Sequence, residues 1–169
     1  KKGQTVLVLG SGVSGLMNIR IAKLLGAKVI ATDIDDYRLK KAEEYGADEV
    51  FHAEKFPGTK ADRILLCSGA MSAVAQAFQC AKRKAVILLF AIPNKNIEIP
   101  TVDVWRNEIT ITSSYGAAPS DLEEALELIR TGKFPVRDLI THTLPLEKIQ
   151  EGFDRVASAK ESLKVVLAF

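Results

Sequence analysis

Val6-Leu7-Val8-Leu9-Gly10-Ser11-Gly12-Val13-Ser14-Gly15 joins an apolar run to three glycines spaced G-x-G-x-x-G, and a helix-periodic stretch opens directly behind them. The next apolar run, Lys28-Val29-Ile30-Ala31-Thr32, ends at Asp33, an acid 18 residues past the last glycine. A glycine triplet alone arises by chance in loops that bind nothing. A strand before it, a helix after it and an acid at this distance make it a dinucleotide fingerprint. In that reading Gly10 makes the tight turn, Gly12 lets the backbone approach a pyrophosphate, and Gly15 lets the helix pack closely on the strand. Val13 and Ser14 begin the helix, whose unpaired N–H groups face the phosphates.

Outward from this stretch, apolar runs alternate with helix-periodic segments, which predicts parallel strands joined by crossover helices. The expected strands are Thr5 to Leu9, Lys28 to Asp33, Glu49 to His52, Arg63 to Cys67, Ala85 to Ala91 and Glu108 to Ser113. The expected helices are Val13 to Leu25, Asp36 to Tyr45, Met71 to Ala81 and Ser120 to Thr131. Gly26-Ala27 and Gly46-Ala47 end the first two. Ser120-Asp121-Leu122-Glu123, behind Pro119, reads as a capping box. The connection from His52 to Asp62 is too short for a crossover helix, so a reduced turn is expected there. Beyond Lys133 the pattern changes to a strand over Leu139 to Leu146, a helix from Pro145 to Ala157 and a last strand from Leu163 to Phe169. The fold class is therefore α/β, a Rossmann-type doubly wound parallel sheet over 1–132, with a strand-helix-strand segment over 133–169.

Asp33 stands where a carboxylate accepts hydrogen bonds from both hydroxyls of an adenosine ribose. Asp35 and Asp36 follow, so three carboxylates would face a 2′-phosphate, which favours NAD over NADP. Arg38 has two readings: an acceptor site for that phosphate, or an i,i+3 partner of Asp35. Ligands in such sheets bind outside the carboxyl ends of the strands. That places Cys67 and Ser68 at the adenosine side, and Phe90-Ala91-Ile92-Pro93 at the nicotinamide side.

The chain has 169 residues, is 47% hydrophobic and carries a formal net charge of +2 with its charges interspersed. This describes one sizeable globular domain, with no electrostatic reason to invoke nucleic acid or a membrane surface. The longest apolar run, Ala85 to Ile92, is far short of the roughly 20 residues of a membrane helix. Two cysteines, Cys67 and Cys80, outside any C-x-x-C pair suit a reducing cytoplasm. His52 and His142 have no acidic or thiol neighbours at metal-ligand spacing, and no G-x-S-x-G elbow occurs. The chain thus reads as a cofactor site without a catalytic group, a portion of a longer protein.

Gly3 to Gly10, Asp33-Ile34-Asp35-Asp36-Tyr37-Arg38-Leu39, Ala42, Gly46-Ala47-Asp48, Gly132-Lys133, Leu139-Ile140-Thr141-His142, Pro145 to Ile149 and Glu151-Gly152-Phe153 together carry a resemblance. The chain resembles the C-terminal half of the zinc-type medium-chain alcohol and polyol dehydrogenases. The resemblance implies that Gly10, Gly12 and Gly15 shape the pyrophosphate turn and that Asp33 and Arg38 bind the ribose. It further implies that Cys67 and Ser68 line the adenosine side, that Phe90, Ile92 and Thr112 approach the nicotinamide, and that Lys164 reaches the phosphates. Ser14 departs from the branched apolar residue usual at its position. The implied cofactors are NAD here and zinc only in the parent enzyme, whose other half holds the metal ligands and proton relay. The implied partners are a small alcohol or polyol and a second copy, paired through the edge strand 108–113. The tail would return to the catalytic domain and end the protein at Phe169. A noncatalytic NAD-sensing module, such as the regulatory domains of potassium transport systems, shares the fingerprint and an acid at the second strand, and an S-adenosylmethionine methyltransferase is a third reading. The stretch from Leu139 to Phe153 argues against both.

Overall fold

β1 (Thr5–Leu9) is the centre of the fold: Leu7, Val8 and Leu9 are fully buried, as expected of a parallel strand covered on both faces. In this computed structural model, which describes residues 2–158 and 160–169, the chain continues through α1 (Val13–Leu24), β2 (Lys28–Asp33), α2 (Asp36–Glu44) and β3 (Glu49–His52). It then forms β4 (Ala61–Leu66), α3 (Met71–Cys80), β5 (Ala81–Leu89), α4 (Thr101–Arg106) and β6 (Thr110–Ser113). These strands make one parallel sheet in the order β3-β2-β1-β4-β5-β6. β2 and β4 flank β1 on opposite sides, so the strand order reverses at β1 and β4. A crevice opens at the carboxyl ends of such a pair.

The helices lie where their apolar spacing directs them. α1 buries Gly15, Leu16, Ile19 and Ala22 against β1 and β2, whereas α3 buries Ala73, Val74, Ala77 and Cys80 against β4 and β5. Leu7, Leu9, Ile30, Ile64, Leu66 and Ile87 fill the sheet side of the core. α1 and α2 end at Gly26 and Gly46, where Ala27 N–H reaches the Ala22 carbonyl at 3.1 Å and Ala47 N–H the Ala42 carbonyl at 2.9 Å.

The chain divides into two compact units, one ending at Tyr115 and one running from Gly116 to Phe169. The second contains α5 (Pro119–Arg130), β7 (Ile140–Pro145), α6 (Ile149–Ser158) and β8 (Lys164–Ala168), with short 3-10 turns at Arg137–Leu139 and Leu146–Lys148. β7 and β8 pair in parallel, joined by α6. Among the described residues no helix is long and apolar enough to cross a membrane.

Several expectations need correction. The last helix begins at Ile149, not Pro145, because Pro145 ends β7 and Leu146–Lys148 is a 3-10 turn, and β4 runs Ala61–Leu66 instead of Arg63 to Cys67. β5 begins at Ala81, four residues ahead of the apolar run, because Lys82-Arg83-Lys84 masks its start; Lys84 sits at φ +61°, beside a break in the β4 register. β6 begins at Thr110 instead of Glu108, since Glu108 is held at φ +52° with its carboxylate on Arg83 and Lys84. α4 has no signal in the sequence pattern, because a helix of six residues shows too little periodicity. α5 starts at Pro119, not Ser120; its Asp121 carboxylate accepts the Ala118 N–H at 2.9 Å. The reduced connection after His52 is a 3-10 turn, Ala53–Lys55.

Candidate dinucleotide-binding site

A cleft of about 200 Å³ lies at the carboxyl ends of β1, β2 and β4. It is lined by Gly10, Gly12, Thr32, Asp33, Ile34, Arg38, Ala53, Cys67, Ser68, Ala70, Ser72, Ala73 and Gln76. Six residues named from the sequence, separated by up to 58 positions, therefore meet here: Gly10, Gly12, Asp33, Arg38, Cys67 and Ser68.

The three glycines do three different jobs. Gly10 turns at φ +96°, and a Cβ there would come within 2.9 Å of the Ser68 Cβ, so glycine lets the ends of β1 and β4 close up. Gly15 lies so close to the turn that its Cβ would fall 1.9 Å from the Gly10 carbonyl oxygen. Around Gly12 nothing stands within 4 Å of an added Cβ, and its φ of −67° suits any residue. Neither strain nor protein packing explains the glycine at 12. It lines the cleft.

Asp33 is buried, and backbone N–H groups orient its carboxylate. Oδ2 accepts Ser11 N–H at 2.7 Å, while Oδ1 accepts Ile34 N–H at 2.8 Å and Asp35 N–H at 3.1 Å. A carboxylate offers about four lone-pair sites, so acceptor capacity is left for a ligand. The Ser11 bond also locks the glycine turn to the end of β2. The Arg38 Nη1 stands 4.0 Å from Asp33 Oδ2, and its Nε is buried with no partner among the described residues. Asp35 is an N-cap: its Oδ1 accepts the Arg38 backbone N–H at 2.9 Å. Neither Asp35 nor Asp36 lines the cleft. The expectation of three carboxylates facing a 2′-phosphate thus reduces to Asp33, because the first turn of α2 uses Asp35 for itself.

On the opposite wall, burial pushes the Cys67 thiol up to about 12 despite the Asn18 amide at 3.5 Å from its sulfur. It stays a neutral thiol at physiological pH and acts as a wall, not a nucleophile. Ser68 Oγ accepts the Ala70 N–H at 3.3 Å, shaping the turn into α3. Gly69 adjoins Asn94 and Ile92 too closely for a side chain, its Cβ falling 2.6 Å from Asn94 Oδ1.

The other named residues lie elsewhere. Val13 and Ser14 form the first turn of α1 without lining the cleft. Phe90 and Ile92 follow β5, exposed by 44% and 88%, and Thr112 pairs with Leu88 on the neighbouring strand. Lys164 opens β8 in the second unit. Ser11, Ile34, Ala53, Ser72, Ala73 and Gln76 were not singled out from the sequence; only Ser11, inside the glycine motif, carried a local signal.

The described residues do not assemble a zinc centre. His52 Nε2 faces the Ile34 carbonyl at 3.1 Å, and the two ring nitrogens of His142 face Thr141 and Arg155. Among the described residues no group of three His, Cys, Asp or Glu could hold a metal.

Residues 14–131 match the model of a family described as zinc-binding dehydrogenase. A sorbitol dehydrogenase from Halalkalibacterium halodurans is 32% identical over 181 residues, covering 98% of this chain and 52% of that protein. Two solved structures are similar throughout. An alcohol dehydrogenase of E. coli CFT073, complexed with NADH, has a TM-score of 0.90 at 26% identity, covering 100% of this chain and 53% of that one. A putative zinc-binding dehydrogenase of Sinorhizobium meliloti, bound to NADP, has a TM-score of 0.87 at 26% identity over 100% of this chain and 52% of that one. The chain spans about half the length of the curated relatives it matches.

Proposed function

The chain belongs to the zinc-binding dehydrogenase family, and from that premise we propose that it is the NAD-binding portion of an alcohol or polyol dehydrogenase. The observation that carries this reading is the oriented Asp33 carboxylate held against the glycine turn by the Ser11 N–H, next to Gly12, around which nothing stands within 4 Å of an added Cβ. The pyrophosphate would rest on the turn from Gly10 to Gly12 and the start of α1 at Val13 and Ser14, with Gly15 holding helix and turn together. The ribose diol would donate to Asp33, with Arg38 beside it, and Cys67 and Ser68 would flank the adenosine. Phe90, Ile92 and Thr112, at the ends of β5 and β6, would receive the nicotinamide. When bound, the nicotinamide exchanges hydride with the alcohol carbon.

The zinc ligands and proton relay would lie in the half of the relatives that this chain does not span. Residues 1–132 would be the cofactor domain, and 133–169 the segment returning to the catalytic domain. By itself the chain would bind cofactor without turning over alcohol. Its setting would be cytoplasmic, and its edge strand β6 would pair with a second copy.

Because one structural neighbour holds NADH and another NADP, the ribose end is the place to test. Calorimetric titration should give tighter binding of NAD than of NADP. Asp33→Ala should weaken NAD by about 1.5–3 kcal/mol, the worth of hydrogen bonds to a charged group. Tighter NADP binding by the unmutated chain would overturn the assignment.

A further inference from the structure

Past Asp33 the cleft continues between Ile34, Ala53 in the turn after β3, and Ala70, Ala73 and Gln76 at the start of α3. Small apolar side chains make up most of this end. Gln76 is tethered there by a single bond, its Nε2 donating to the Ala53 carbonyl oxygen at 2.7 Å. A carbonyl oxygen only accepts, so this contact decides which end of the amide is nitrogen. One acceptor, Oε1, and one N–H remain for a ligand.

Resting on the cofactor reading above, we propose that Gln76 reads the purine base of the bound dinucleotide, with Oε1 accepting from the 6-amino group of adenine. Adenine presents that donor beside ring-nitrogen acceptors, a pattern that a glutamine amide complements with its oxygen and one N–H. Hypoxanthine presents a 6-oxo acceptor at the same place. To meet it, Gln76 would have to turn its amide over. The turned amide would set Oε1 in the position of Nε2, 2.7 Å from the Ala53 oxygen, acceptor against acceptor, with a partly buried bond lost. The tether to Ala53 therefore makes the side chain a reader of one polarity. Ala53 and Gln76 are 23 positions apart, and no sequence motif joins them.

The test is a parallel calorimetric titration of the full chain with NAD and with nicotinamide hypoxanthine dinucleotide. NAD should bind about tenfold more tightly, the scale set by one mismatched polar contact. Gln76→Met, which keeps the length and removes the amide, should bring the two affinities together; Gln76→Leu takes its place if circular dichroism shows the Met variant unfolded. Equal affinities in the unmutated chain, or a preference that persists in the folded variant, would overturn the proposal and leave the cofactor reading standing. If neither dinucleotide binds, the cofactor reading fails, and this proposal with it.

Discussion

Gly12 and Gly15 belong to one motif, yet the structure gives them opposite liabilities. An Ala side chain at 15 would meet the Gly10 carbonyl oxygen at 1.9 Å, so either the turn or α1 must move. Gly15→Ala should cost about 1–3 kcal/mol of stability or more, as overpacking of a close contact does. At 12 the added methyl meets nothing, and the expected cost is only that of Ala at a helix N-cap, below about 1 kcal/mol. Its effect should fall on the ligand. Urea unfolding and NAD titration of the two variants should separate, with Gly15→Ala losing stability and Gly12→Ala losing affinity while remaining folded. A Gly12→Ala chain that binds NAD as tightly as the original would refute close backbone approach at that position.

Between elements, Asp62 ties three strands at the amino edge of the sheet. From β4, its Oδ2 accepts the Thr5 N–H of β1 at 2.8 Å and the Lys82 ammonium of β5 at 3.0 Å. Burial pushes the Asp62 carboxyl up, but the Thr5 N–H, Lys82 and Arg63 outweigh it and hold the group below its usual 3.8. A depressed folded-state pKa means that the unfolded chain takes up the proton first. The stability due to this carboxylate is thus fully present above 3.8 and is lost as pH falls through the lower folded value. Asp62→Asn should cost about 1 kcal/mol at neutral pH after allowance for solvent screening. The deficit should shrink steadily as both proteins are unfolded in urea at decreasing pH below 4. A deficit that stays constant down to pH 2 would show that the ionised carboxylate is not what matters.

For the molecule as a whole, the proposed association would rest on β6, which ends the sheet and pairs only with β5 among the described strands. An uncovered edge offers its free backbone groups to another chain. The seam available is Thr110–Ser113, shorter than the 108–113 read from the sequence, because Glu108 leaves the extended conformation. Light scattering should show a dimer that Ile111→Pro disrupts, since proline removes a ladder donor. A folded Ile111→Pro chain with its dimer unchanged would rule out edge pairing. At this scale the division between sequence and structure is also clear. The bounds of β1, β2 and β3, the turn at Gly10 and the Asp33 strand end were legible in the chain, because alternation, helical period and glycine are local properties of it. The sequence also carried the opening and closing of α1 and α2 to within a residue. Only the tertiary structure decided that Asp33 is oriented by Ser11 from 22 residues away, and that Ala53 and Gln76 meet in the cleft that Asp33 lines. The first contact depends on β2 lying beside β1, and the second on β4 lying on the opposite side of β1. Strand order is a property of the packed sheet, and no short stretch of residues encodes it.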